Sequence, residues 1–205
     1  MLYIYGDSHA EFSFKNLQIP HENRREYSIT MFRIGRDGII INCDVNTVNN
    51  KNNIVLMVYG EIDCRCHIQR QIDLGFDEDT VINNLVTSYF KTIQANVSNV
   101  KHCIVTGIIP PVERNNYESL YGPITHEFPF VGTDTDRVRY TTKINALIKS
   151  QCDIYGYIYF YPYDYYTKEN GCLNYELSDK IVHIGDNSYI LEKFTLLLYD
   201  LNTNT

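Results

Sequence analysis

The run Ile54-Val55-Leu56-Met57-Val58-Tyr59 contains no charged or amide residue. A strand with one wet face alternates apolar and polar residues, so an unbroken apolar run reads as a strand covered on both sides. It requires helices above and below the sheet, and the remaining chain supplies candidates. Leu2-Tyr3-Ile4-Tyr5 is a short apolar strand ahead of Gly6-Asp7-Ser8-His9. Cys103–Ile109 reads as another, stopped by Pro110-Pro111, and Tyr155–Tyr161 as a further one with alternating aromatics. Asp77-Glu78-Asp79 opens a helix with Ile82, Leu85, Val86, Tyr89 and Ile93 on one face. Thr133 or Asp134 caps a second helix, which turns Val138, Leu147 and Ile148 to the core and ends near Cys152. A last helix covers approximately Asn187–Asp200. Tyr27–Ile34 and Ile39–Asn42 read as strand-like pieces around Gly35-Arg36-Asp37-Gly38. Glu113–Val131 lacks periodicity and reads as a long connection of the kind that forms lids or binding loops. This alternation predicts an α/β fold with a central parallel sheet, in one domain over residues 1–205.

Composition narrows the function classes. A net charge of −7 speaks against a broad basic footprint for nucleic acid or anionic membrane. No apolar run approaches the roughly 20 residues of a membrane span, and no basic leader with an apolar core opens the chain. A cytoplasmic location is therefore expected. The six cysteines fit it, with Cys43, Cys103 and Cys152 in or beside apolar patterns as buried thiols. Cys64-Arg65-Cys66 lacks a second Cys/His pair at zinc spacing, so no metal is expected. Asn96-Val97-Ser98 is a formal glycosylation sequon that an intracellular chain would leave unused. The tyrosines of Tyr155–Tyr166 could form a carbohydrate-stacking surface, but a half-buried strand is the simpler account of them.

A parallel sheet gathers the C-terminal ends of its strands along one edge, where α/β proteins build their sites. That edge should collect Ser8, the segment Gly60-Glu61-Ile62-Asp63 and the Pro110-Pro111 loop, with Asp179 and His183 in the loop before the last helix. A serine hydroxyl is a poor nucleophile at neutral pH and needs a base within hydrogen-bond reach. His183 is the candidate base, and Asp179 the group to orient it. Taken alone, Ser8 also reads as a strand end that caps the next helix.

The order Gly6-Asp7-Ser8, Gly60-x-x-Asp63, Pro110-Pro111 and a late Asp179/His183 pair resembles the SGNH (GDSL-like) hydrolase family over nearly the whole chain. The resemblance implies a flavodoxin-like, three-layer α/β/α fold and a serine site that forms an acyl-enzyme. Ser8 would be the nucleophile, His183 the base and Asp179 its orienter. The backbone amides of Ser8 and Gly35 would hold the oxyanion, with Gly38 equally placed for the second position. Asp7, Gly60, Glu61 and Asp63 would line the substrate side. Two features depart from the pattern. Asp179-Lys180-Ile181-Val182-His183 is one residue longer than the family's Asp-x-x-His, and Ile62 stands where the family has an asparagine amide. Losing one oxyanion donor costs roughly 10²–10³ in rate. Arg65 is the candidate replacement, although an ion pair with Glu61 or Asp63 would account for it equally. His9 reads as a helix-start residue behind the nucleophile and His67 as a packed or surface residue. His21, His102 and His126 have no evident partner.

The expected activity is acyl transfer through Ser8, with acetyl-CoA as donor rather than a bound cofactor, and with a sugar, amino sugar or nucleotide sugar as acceptor. An intracellular enzyme has acyl-CoA at hand, and the acidic Glu61-Ile62-Asp63 segment suits a polyol or amino-sugar acceptor. The alternative is a carbohydrate O-acetylesterase, in which water takes the acyl group. A non-catalytic domain on the same fold is disfavoured by the complete Ser8, His183 and Asp179 set.

Overall fold

The computed structural model describes residues 1–25, 29–38, 45–125 and 128–203. Five parallel strands form its sheet: β1 (Leu2–Gly6), β2 (His21–Arg25), β3 (Ile54–Val58), β4 (His102–Thr106) and β5 (Ile158–Phe160), in the spatial order β2-β1-β3-β4-β5. The double burial inferred for Ile54–Tyr59 is visible side chain by side chain. Tyr3, Tyr5, Val55, Met57, Cys103 and Val105 enter one core. Leu2, Ile4, Leu56, Val58 and Ile104 enter the other. This period of two divides every inner strand between two helical layers. One layer holds α2 (Met31–Asp37), the one-turn α3 (Val45–Val48), α5 (Glu78–Val97) and α7 (Asp134–Tyr155), and the other α1 (Ser8–Phe14) and α8 (Ser188–Thr203). The fold is thus the three-layer α/β/α arrangement with flavodoxin-like strand order. Among the described residues, no helix is long and apolar enough to cross a membrane.

Capping chemistry sets the helix starts. Asp77 accepts from the Thr80 amide ahead of α5, while Thr133 and Asp136 form a reciprocal capping box ahead of α7. The inward face of α7 is Tyr140, Thr141, Ile144, Asn145, Ile148 and Cys152. Val138 and Leu147, expected in the core, are half-buried at its margin. Asn96 of the sequon is buried and donates to Thr92 O at 2.8 Å, so a glycan has no room there.

Several expected elements differ. Met31–Ile34, expected to end a strand-like piece, and Gly35–Asp37, expected to lie between two such pieces, form one helix, because Thr30 caps it and a carboxylate distant in sequence accepts two of its first amides. Ile39–Asn42 lies outside the described residues. The edge strand β2 was not anticipated, since its sequence, His-Glu-Asn-Arg-Arg, has no apolar pattern. Polar edges of this kind discourage pairing with other chains. Within Glu113–Val131, Arg114–Tyr121 forms a two-turn helix, α6, instead of a structureless lid. The expected Tyr155–Tyr161 strand is shortened because α7 runs to Tyr155 and ends on left-handed Gly156.

Candidate active site

The fold reverses direction between β1 and β3, which are neighbours with connections leaving to opposite sides. Such a switch point opens a crevice at the strand ends. Gly6 brings α1 close to the sheet there. A Cβ on it would lie 2.3 Å from the Ala10 Cβ and 2.7 Å from the Val58 carbonyl oxygen, so only glycine fits. Capping falls to Asp7, whose Oδ1 accepts from the His9 amide at 2.8 Å. This leaves the half-buried Ser8 hydroxyl uncommitted to the helix start.

That hydroxyl meets His183 Nε2 at 2.9 Å, while His183 Nδ1 lies 2.6 Å from Asp179 Oδ2. The second carboxylate oxygen of Asp179 accepts from the amides of Ile181 (2.8 Å) and His183 (3.0 Å), and the Asp179 amide donates to the His183 carbonyl at 3.0 Å. The extra residue in this loop is absorbed at Lys180, which adopts a left-handed φ of 66°. Its carbonyl accepts from the Tyr175 hydroxyl and its amide donates to Ser178 Oγ at 3.0 Å. Phe12, one turn beyond Ser8 on α1, stacks on the His183 ring at 4.2 Å with the planes 7° apart. Phe12 was not singled out from the sequence, although its i+4 spacing from Ser8 puts both on one helix face.

Burial holds His183 below the ordinary histidine value, outweighing its bond to Asp179. Burial alone would raise Asp179, but the His183 ring and the two loop amides hold it lower. At neutral pH the pair is therefore a neutral imidazole beside a carboxylate, the form a general base needs.

The segment after β3 is one turn of π-helix, Asp63–His67, continued by α4 (Ile68–Asp73). Gly60 enters it with φ 118°. Asp63 is 1% exposed and its two oxygens accept from Met31 N (2.8 Å) and Phe32 N (3.3 Å). It anchors α2 to the crevice floor, so its carboxylate is spent on the fold and not presented to a substrate. Glu61 is also buried, with Oε1 at 3.1 Å from Arg65 Nε and Oε2 at 3.5 Å from His9 Nε2. Arg65 therefore pairs with Glu61, one of the two partners considered for it, and its guanidinium also lies 5.9 Å from the Phe130 ring centre. Ile62 is in the core, and Cys64 and Cys66 are buried thiols whose titration burial pushes upward.

Gly35 does not reach the crevice. It lies inside α2 against α5, where a Cβ would stand 2.9 Å from the Ser88 Cβ and 3.1 Å from the Tyr89 amide nitrogen. Its amide belongs to the helical ladder, so the oxyanion role expected of it is withdrawn. The Gly38 amide is likewise taken, by the Ile34 carbonyl at 3.0 Å. A cavity of about 730 Å³ lies among α2, α4 and α5 with Phe32, His67, Phe76 and Phe128 on its wall. Asp63 borders it, while neither Ser8 nor His183 does.

No protein-family model matches the chain, and no curated protein is similar to it in sequence. Solved structures do share its fold. A GDSL-like lipase from Bacteroides thetaiotaomicron superposes with a TM-score of 0.56 at 15% identity, covering 100% of this chain and 88% of that one. An acetylxylan esterase from Geobacillus stearothermophilus gives 0.56 at 13% identity, over 96% and 91% of the two chains. An extracellular lipase from Streptomyces rimosus gives 0.51 at 11% identity, over 95% and 97%. The chain has the fold of the SGNH (GDSL-like) hydrolases, as its motif order implies.

Proposed function

We propose that this protein is a serine esterase that removes short acyl groups, acetyl foremost, from carbohydrate hydroxyls through an acyl-Ser8 intermediate. The observation that carries the reading is the continuous path from Ser8 Oγ through the His183 ring to Asp179, with separations of 2.9 and 2.6 Å. Ser8 Oγ attacks the ester carbonyl carbon as its proton passes to His183 Nε2. The Ser8 amide receives the oxyanion. When the tetrahedral adduct collapses, the ester C–O bond breaks and His183 returns its proton to the departing sugar oxygen. Water, deprotonated by the same nitrogen, then attacks the acyl carbonyl carbon; the bond from that carbon to Ser8 Oγ breaks, His183 returns the proton to Oγ, and the acid leaves. Asp179 stays ionised throughout and offsets the imidazolium charge.

Fold relatives described as esterases and lipases favour water as final acceptor over the acetyl-CoA-dependent transfer expected from sequence. The acetylxylan esterase among them favours an acylated sugar as substrate. The test compares p-nitrophenyl acetate and acetylated xylo-oligosaccharide with acetyl-CoA plus amino sugars or nucleotide sugars. Acetate release should fall by about 10⁴-fold or more in Ser8→Ala while the circular dichroism spectrum is unchanged. Undiminished turnover in Ser8→Ala would overturn the covalent route. Acetylated sugar formed without ester cleavage would restore transfer as the activity.

A further inference from the structure

His9 is 3% exposed and sits directly behind the reacting residues, with its ring centre 4.7 Å from that of His183. Its Nδ1 lies 3.0 Å from Asp7 Oδ1. Its Nε2 lies 3.3 Å from the Val182 carbonyl and 3.5 Å from Glu61 Oε2. Every one of these partners is an acceptor. A neutral imidazole carries one N–H and one lone pair, so either tautomer would aim a lone pair at an oxygen inside the protein. Only the doubly protonated ring satisfies both sides. The charges nearest the ring point the same way: Asp7 and Glu61 place two carboxylates against it, and Arg65 pairs with Glu61 only.

We propose that His9 is a permanent buried imidazolium that positions the His183 loop and keeps His183 itself unprotonated in the resting enzyme. The first task follows from the Nε2–H bond to Val182, the residue just before His183. The second follows from proximity, because a fixed positive charge disfavours a second proton on the neighbouring ring. The charged or titratable groups facing His9 are Asp7 on its own turn, Glu61 and Arg65 after β3, and His183 across the crevice. The two carboxylates outweigh both burial and Arg65, and they hold His9 above the ordinary histidine value. His183 is held below it, with burial the larger cause and His9 a contributor. His9 is thus a positioning residue, and its usefulness rests on the reading of Ser8, His183 and Asp179 as the reacting set.

Imidazole ¹⁵N resonances of the wild-type protein, followed from pH 5 to pH 9, report each ring whether or not any ester is cleaved. The proposal and the esterase reading can therefore fail separately. His9 should keep two protonated nitrogens at pH 7, where a free imidazole has mostly lost its second proton, and His183 should titrate below its ordinary 6.5. A neutral His9 tautomer at pH 7, or a His183 midpoint at or above 6.5, overturns the proposal. In His9→Gln, whose amide keeps a donor without the charge, the His183 midpoint should rise by about half a unit or more. The acidic limb of kcat/KM should move with it, whereas an unmoved midpoint refutes the tuning role. Should His9→Gln fail to fold, the wild-type titration decides alone.

Discussion

His183 and His9 present two rings of the same chemistry, each bonded to an aspartate through Nδ1, at 2.6 and 3.0 Å. Their surroundings separate them. The far nitrogen of His183 faces a hydroxyl, which can donate to it, so the ring can stay neutral and exchange a proton with Ser8. The far nitrogen of His9 faces a carbonyl and a second carboxylate, which can only accept. Burial disfavours charge on both. Asp7 and Glu61 reverse its effect at His9, whereas at His183 burial, aided by the nearby His9, outweighs Asp179 and the lesser pull of Glu61. The count of acceptors around each imidazole thus separates a ring that can take a proton from Ser8 from one whose two nitrogens both face oxygens that only accept.

The largest expected effect separates the two sites by what they serve. In Asp179→Asn the amide can no longer hold the His183 tautomer or offset its charge, and kcat should fall by about 10⁴-fold. Stability should change little, because the site is half-buried. Steady-state kinetics alongside thermal unfolding will check this. A stability loss as large as the one expected next would erase the contrast. Glu61→Ala leaves two buried cations, His9 and Arg65, with Asp7 as their remaining carboxylate. It should destabilise the protein by about 3–5 kcal/mol in urea unfolding at pH 7. A loss under 1 kcal/mol would mean that the buried charges are not coupled as their distances imply.

How much of this was legible in the chain follows the range of the interactions. The central strand was readable because period-two burial is local, and the Ser8, His183 and Asp179 set because motif order survives whatever the loops do. Gly35 was misplaced for a long-range reason. The helical state of Met31–Asp37 depends partly on Asp63, which stands 32 residues from Met31 and caps it from another strand's end. A local reading takes Tyr27–Ile34 as strand-like and Gly35–Gly38 as the break after it, and nothing nearby announces Asp63. β2 was missed because an edge strand has one neighbour and needs no apolar face. His9 looked like a helix-start residue, since nothing in Gly6-Asp7-Ser8-His9 announces Glu61 or Val182 beside it. The role of Arg65 was open between oxyanion donor and ion-pair partner, and its geometry answers for the pair with Glu61.

The smallest effect probes the loop that lets His183 differ from His9. The five-residue Asp179–His183 turn closes with Lys180 in a left-handed backbone, which costs an L residue about 1–2 kcal/mol. Glycine adopts that conformation freely but loses more entropy on folding, so Lys180→Gly should leave stability within about 1 kcal/mol of wild type and kcat within about twofold. Valine cannot adopt it without clashing at its branched Cβ. Lys180→Val should destabilise by about 1–3 kcal/mol and lower kcat about tenfold, as the Asp179 carboxylate drifts from the ring. The sensitive readout is the difference between the two variants, measured by kcat at saturating ester and by thermal unfolding. Equal activity in both would show that Asp179 reaches His183 without help from the bulge. The loop's backbone would then have no part in making His183 a base.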